Sequence, residues 1–191
     1  GKGVTVAMDD KQAHDAIDSI YSDESIQAPC VIEEYLEGEE FSLMCLVHED
    51  QIIPLPIARD HKRAFDQDEG PNTGGMGAFC PHPRIPQSLV DEAMIKIVKP
   101  IINALRLEGI DYTGVLYAGL MATNEGVKTI EFNVRFGDPE TEVILPRLIT
   151  PMDEIIFKLL KHEAVNIVID SRACLGVVLV SRGYPGKTEI Q

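Results

Sequence analysis

The chain has 191 residues, 45% of them hydrophobic and 25% charged, which suits one large globular domain or a pair of small ones. Its net charge of −14 and pI near 4.7 exclude nonspecific nucleic-acid binding and attraction to anionic membranes, since both need clustered exposed cations. No apolar run approaches the roughly 18 residues that a membrane span requires. The four cysteines, Cys30, Cys45, Cys80 and Cys174, are scattered among apolar or small residues with no Cys-x-x-Cys pair. This predicts buried free thiols in a reducing cytoplasm rather than a disulfide framework or a zinc site. The chain opens on Gly1 and closes just after an apolar strand, so it reads as a piece of a longer protein.

Gly1-Lys2-Gly3 reads as a turn into a strand at Val4–Met8. A helix is predicted over Asp10–Tyr21, capped by Asp9 or Asp10, with Ala13, Ala16, Ile17 and Ile20 as its buried stripe. Pro29–Leu36 reads as a buried strand and Glu37-Gly38 as a turn. Glu39–Val47 returns as a second strand, in which Glu40 shares a face with Ser42 and Glu39 shares the face of Phe41. Glu40 is therefore the acid better placed to meet a ligand. Gln51–Ala58 follows as a strand whose Pro54 and Pro56 point to a sheet edge.

Arg59-Asp60-His61-Lys62-Arg63 gathers three cations in an otherwise acidic chain. The following Gly70-Pro71-Asn72-Thr73-Gly74-Gly75-Met76-Gly77 reads as an ordered loop, too rich in glycine for helix or strand. Such a loop can bring backbone N–H groups close to a ligand. Pro86–Leu107 is predicted as a long helix with Val90, Ala93, Ile97, Ile101 and Ala104 inward and a kink or break at Pro100. Tyr112–Ala122 and Val127–Arg135 form an antiparallel hairpin around Asn124-Glu125-Gly126. Helices follow over Pro139–Leu148, with Asp138 as its cap, and from Pro151 or Met152 to His162, with Ile155, Ile156, Leu159 and Leu160 apolar. An apolar strand over Ala173–Val180 begins another subdomain.

The most informative stretch is Thr129–Glu140. In a strand, successive side chains point to opposite faces. Ile130, Phe132 and Val134 then make an apolar underside, while Glu131, Asn133 and Arg135 share the other face, each roughly 7 Å from the next. A carboxylate and an amide oxygen suit Mg²⁺, which shares oxygen ligands with substrate phosphates. An arginine one step on can clamp a phosphate through two N–H groups. The five histidines show no metal-ligand spacing, and no serine sits in a nucleophile elbow.

Three segments together resemble a known family. Val31-Ile32-Glu33-Glu34-Tyr35-Leu36-Glu37-Gly38-Glu39-Glu40 is similar to the nucleotide hinge of ATP-grasp enzymes. Asp60–Arg63 with Gly70–Ala78, and Glu131–Thr141, resemble the phosphoribosylamine–glycine ligases within that superfamily. The resemblance implies an α+β ATP-grasp fold of antiparallel sheets packed with helices. Residues 1–170 would be the ATP-grasp domain, truncated at its N-terminus, and 171–191 the start of a C-terminal subdomain. It implies a cytoplasmic enzyme of purine biosynthesis that joins glycine to 5-phosphoribosylamine through glycyl phosphate, using ATP and Mg²⁺ or Mn²⁺. Other purine-pathway domains could share or follow the chain.

Carried over by position, the resemblance assigns Glu33, Glu34, Tyr35 and Leu36 to the adenine and Glu40 to the ribose. Lys2, Lys62, Arg63 and Asn72 join the nucleotide set, and Glu131 and Asn133 hold the metal. Arg135 and Asp138 are assigned to catalysis, and Gly74, Gly75, Met76, Gly77, Pro139 and Glu140 join them in substrate binding. The sequence departs from the family in lacking a Lys-Ala-Asp-Gly-Leu-Ala-Ala run before Gly1 and a second metal carboxylate on Gly114–Ala122. The piece alone is therefore expected not to turn over substrate. Two other readings stay open: a different ATP-grasp ligase, such as a biotin carboxylase-like or aminoimidazole-ribonucleotide carboxylase-type enzyme, and a noncatalytic nucleotide-binding module.

Overall fold

The computed structural model describes residues 4–22 and 29–186. At its centre is a four-stranded antiparallel sheet, made of β1 (Glu39–His48), β2 (Gln51–Pro54), β7 (Thr113–Thr123) and β8 (Gly126–Asn133), in the order β2-β1-β7-β8. β2 is an edge strand, the position that suits its Pro54, and Pro56 lies beyond it. A second sheet, β3-β6-β9, contains β3 (Arg59–Asp60), β6 (Gly77–Cys80) and β9 (Cys174–Val177). β4 (Arg63–Phe65) and β5 (Glu69–Asn72) form a small hairpin between them.

Both faces of the central sheet are apolar, and each has its own cover. Phe41, Leu43, Cys45 and Val47 of β1 lie beside Leu116, Ala118 and Leu120 of β7 on one face. Against them pack Val90, Ala93, Val98 and Ile102 from the helical stretch that runs from α2 (Gln87–Ala93) to α3 (Lys99–Leu107). On the other face, Met44, Leu46 and Tyr117 pack against Ala78 and Cys80 of β6 and Val143 and Ile144 of α4 (Thr141–Ile144). Ile155 and Leu159 of α5 (Met152–Leu160) complete that cover. Each fully buried Leu or Phe contributes about 1.5–3 kcal/mol. Cys45 and Cys80 are buried free thiols, and burial pushes the Cys45 thiol up to about 12.

Several elements differ from the sequence reading, each for a local reason. The predicted long helix is unbroken, but Met94–Val98 is a π-helical turn. Pro100 has no N–H to give to residue 96, and the wider turn before it absorbs the missing bond. The extra residue rotates the buried stripe, so Val98 and Ile102 are buried where Ile97 and Ile101 were expected, and Ala104 is exposed. Helix α1 (Asp10–Tyr21) forms as expected, with Asp9 Oδ1 accepting from the Gln12 N–H at 2.7 Å, yet none of its residues is buried. Val4–Ala7 and Pro29–Glu37 have no regular secondary structure, and Val31 and Ile32 are 76% and 80% exposed. Among the described residues neither segment pairs with a strand, so their N–H and C=O groups join no ladder.

The stretch predicted as a glycine loop contains β5 and the start of β6, because Arg63 pairs with Asn72 and Gly77 with Val177. The predicted helix over Pro139–Leu148 is only one turn, α4, followed by a 3₁₀ turn at Leu145–Arg147. Asp138 does not cap it; Glu140 holds the cap position without a side-chain bond, and Thr141 Oγ1 donates to Gly137 O instead. In α5 only Ile155 and Leu159 are buried, while Ile156 and Leu160 are 40% and 50% exposed. The apolar strand near the C-terminus is the short β9, whose pairing with β6 adds it to the sheet of the preceding residues.

If the π turn sets the helix register, Ile102→Ala lowers stability by about 2–5 kcal/mol and Ala104→Gln by less than about 0.5 kcal/mol. Urea denaturation measures both, and equal losses would contradict the shifted register.

Candidate active site

One end of the central sheet opens into a cleft of about 920 Å³, large for a small-molecule site. Its floor is β1 and β7–β8, through Glu40, Met121, Lys128 and Glu131. One wall is the Glu33–Gly38 segment and the other comes from Arg59, Asp60, Lys62, Arg63 and Asn72. Val4 and Val6 border the mouth. The structure thus brings together Glu33, Glu34, Tyr35, Leu36, Glu40, Lys62, Arg63, Asn72 and Glu131 from five separate stretches of sequence. Lys2 lies outside the described residues.

Each wall is held by identifiable contacts. Gly38 passes so close to β7 that a Cβ there would fall 2.1 Å from Ala122 O, so only glycine allows the turn. Lys128 Nζ reaches Glu34 Oε1 at 3.1 Å and ties the Glu33–Gly38 segment to β8. Across the cleft Lys62 Nζ donates to Glu40 Oε2 at 3.1 Å. Burial opposes the lysine's charge, but Glu40, by charge and hydrogen bond, with Glu131 and Asp60, holds its ammonium above the usual range. Glu39 serves elsewhere: on the opposite face of β1 it pairs with Arg59 and Arg84 and lies 3.3 Å from His82 Nε2.

Asp60 is the residue that sequence reasoning passed over. Its Oδ1 is buried without a hydrogen-bond partner and borders the cleft. Burial pushes the carboxyl up to about 7; Glu140 and Glu40 add repulsion, and Lys62 only partly offsets them. Its place between two cations in Arg59–Arg63 disguised an acid surrounded in space by acids.

The hairpin departs from simple alternation. Register shifts between Gly119 and Leu120: Thr129 faces Leu120 and Glu131 faces Gly119, leaving Ile130 as a bulge. Ile130 therefore lines the cleft beside Glu131, and Phe132 and Val134 are 39% and 73% exposed, so the expected greasy underside is not buried. Asn133 faces Tyr117, two residues along from Gly119, so Glu131 and Asn133 still share one sheet face. Gly119 leaves that face open, since a Cβ there would stand 3.2 Å from Glu131 Cγ. Strand β8 ends at Asn133, so Arg135 is not its third polar residue. Arg135 and Asp138 are exposed, Arg135 donates to Phe136 O at 2.8 Å, and neither borders the cleft.

Glu140 is 2% exposed and accepts from Ser42 Oγ and Tyr117 OH, both at 2.8 Å. Two donors satisfy a carboxylate that would otherwise be costly to bury. In the glycine run, Gly75 N–H donates to Thr73 Oγ1 at 3.0 Å, and Met76 N–H to His61 O at 2.8 Å. A Cβ on Gly75 would fall 2.4 Å from Pro139 Cδ, and one on Gly77 2.4 Å from Gly176 O. These glycines let the backbone approach the protein's own atoms, and Gly74–Gly77 do not line the cleft.

The Glu33–Gly38 wall, Glu131 and Asn133 on one sheet face, and Lys62 among carboxylates suit the ATP-grasp superfamily. The chain's fold matches solved members of that superfamily. It has a TM-score of 0.83 and 33% identity to a phosphoribosylamine–glycine ligase from Thermotoga maritima, covering 97% of this chain and 48% of that one. An ADP complex of N5-carboxyaminoimidazole ribonucleotide synthetase shares the fold alone, with a TM-score of 0.63 at 17% identity, covering 93% of this chain and 42% of that one.

The profile of the family described as phosphoribosylglycinamide synthetase, ATP-grasp (A) domain, matches residues 1–141, and the chain belongs to that family. Phosphoribosylamine–glycine ligase of Lactococcus lactis is 51% identical over 191 residues, covering all of this chain and 46% of that protein. The one from Halalkalibacterium halodurans is 50% identical over 192 residues, covering 99% of this chain and 45% of that protein. The chain thus spans about half the length of the curated relatives it matches. No described helix is long and apolar enough to cross a membrane.

A carboxyl raised from 3.8 to about 7 by folding favours the folded state while it stays protonated. Its contribution is present below the unfolded value and is lost as pH rises through about 7. In the ligand-free protein, Asp60→Asn should therefore match the parent in urea midpoint near pH 4 and exceed it above pH 7. A pH-independent difference would contradict this assignment.

Proposed function

We propose that the chain supplies the nucleotide-binding and phosphoryl-transfer part of an enzyme joining glycine to 5-phosphoribosylamine at the expense of ATP. The observation that carries this reading is the convergence of Glu33–Leu36, Glu40, Lys62 and Glu131 on one cleft, in a chain of this family. In this reading residues 1–170 are the ATP-grasp unit and 171–191 lead into a further subdomain.

A carboxylate is a poor acyl donor. Glycine's carboxylate oxygen attacks the γ-phosphorus of ATP and ADP leaves, forming glycyl phosphate. The amine of phosphoribosylamine then attacks the acyl carbon; the C–O bond to phosphate breaks, inorganic phosphate departs and the amine loses a proton. Such transfer depends on positioning and charge neutralisation rather than on a protein nucleophile. The Glu33–Leu36 segment receives the adenine, Glu40 the ribose hydroxyls, and Lys62 with Arg63 and Asn72 the phosphates.

Glu131, opposite Gly119, and Asn133, opposite Tyr117, offer hard oxygen donors on one face, which fits Mg²⁺ or Mn²⁺. Bound there, the ion would neutralise charge on the transferring phosphates. Arg135 and Asp138, exposed just beyond β8, are free to meet the acyl phosphate and the amine. Gly75 comes close to both Pro139 and the Asp60 carboxyl, so the Gly74–Gly77 loop would shape the amine side of the site through that carboxyl.

Glu131→Gln in the full-length enzyme should lower kcat by at least about a hundredfold with the far-UV spectrum unchanged. The assay is ADP release dependent on both glycine and phosphoribosylamine. Undiminished turnover would refute the metal role, and ADP release indifferent to either substrate would refute the reaction.

A further inference from the structure

A second cluster of ligand-type side chains lies at the end of β1 remote from the cleft. Glu40 and His48 are separated by eight strand residues, about 26 Å. His48 ends β1, Glu49 begins the turn into β2, and His162 follows the C-terminus of α5. One candidate ligand atom from each lies within 4.8 Å of the others. The imidazole centroids are 4.9 Å apart and His162 Nε2 is 3.6 Å from Glu49 Oε2. His48 Nδ1 lies 2.9 Å from Thr113 Oγ1, which orients the ring and leaves Nε2 available.

The backbone gives an independent pointer. Glu49 has φ 53° and His162 has φ 56°, both in the left-handed region. The first is in a two-residue hairpin turn and the second just past a helix end, and both are places where glycine or asparagine is the usual occupant. The sequence instead carries a carboxylate and an imidazole there, at a conformational cost. Two of the three non-glycine residues with positive φ among the described residues thus belong to this cluster.

We propose that His48, Glu49 and His162 bind one divalent transition-metal ion of the Zn²⁺ class. Two imidazoles and a carboxylate suit Zn²⁺ or Co²⁺ and leave a fourth position for water. Metal–nitrogen bonds of about 2.0–2.1 Å require the three ligand atoms to close by roughly 1 Å, which the exposed Glu49 and His162 can do around the half-buried His48. The ion would tie the β1–β2 turn to the end of α5, the helix whose Ile155 and Leu159 cover the second face of the sheet. This site is separate from the nucleotide cleft and does not rest on the ligase reading.

The test is titration of the protein with Co²⁺ and Zn²⁺ in millimolar excess Mg²⁺, which occupies hard-oxygen sites. One equivalent should bind, with visible cobalt d–d bands and a rise in Tm on adding Zn²⁺. His48→Ala and His162→Ala should each weaken binding at least about tenfold and abolish the rise, whereas Glu131→Gln should leave both intact. His162→Gly guards against misfolding: glycine suits that backbone, so this variant should be at least as stable as the parent without metal yet fail to bind. Absence of stoichiometric binding, undiminished binding in the histidine variants, or a thiolate-to-cobalt charge-transfer band would overturn the proposal.

Discussion

The ladder between β1 and β7 is the constraint on which the rest depends. It runs without a break from Glu39 opposite Ala122 to His48 opposite Thr113. Because side chains alternate, it commits Phe41, Leu43, Cys45 and Val47 to the helices and Ser42, Met44 and Leu46 to the second sheet. Slipping by one residue would exchange the two faces and put Glu40 into the core. The same ladder places Gly119 between Ser42 and Glu131, so the open patch of the cleft lies where β7 lacks a side chain. At its other end it sets His48 beside Thr113 and the end of α5.

Charge is organised against the overall balance. In a chain of net charge −14, Lys62 is drawn between Glu40, Asp60 and Glu131. Its partners are close enough to hold its proton firmly, yet they leave an acidic surplus that a bound cation would relieve. A cleft bearing both an ammonium and unbalanced carboxylates accommodates a polyphosphate and its metal together, whereas a purely basic cleft would take the anion alone. The burial of Glu140 under Ser42 and Tyr117 keeps a further negative charge close to Asp60 without exposing it to solvent.

Much of this was legible in the residues. The apolar run Phe41–Val47 located β1, the alternation of strand faces separated Glu40 from Glu39, and the Asn124–Gly126 turn located the hairpin. Motif resemblance led to the superfamily and the family. The failures share a cause: patterns report local preference, while register and partners are set at a distance. The bulge at Ile130 arises in pairing with β7 and leaves no mark in the alternation of Thr129–Arg135. Val31 and Ile32 read as buried because they are apolar, but burial requires a neighbour. The π turn shifted the face of an otherwise well-placed helix by one residue. Glu140 reads as a site acid in the motif and is a buried acceptor in the fold, and Asp60 was hidden in a run that stood out for its cations.

The central claim is that the Glu33–Leu36 segment, the Lys62 wall and the Glu131 floor enclose a nucleotide. Photolabelling with an azidoadenine analogue of ATP in the presence of Mg²⁺, followed by peptide mapping, tests it most directly. The account predicts label concentrated on the peptide containing Glu33–Leu36, competed by ATP and reduced in Lys62→Ala. Label placed on the far face of the sheet, or scattered and indifferent to ATP, would contradict it.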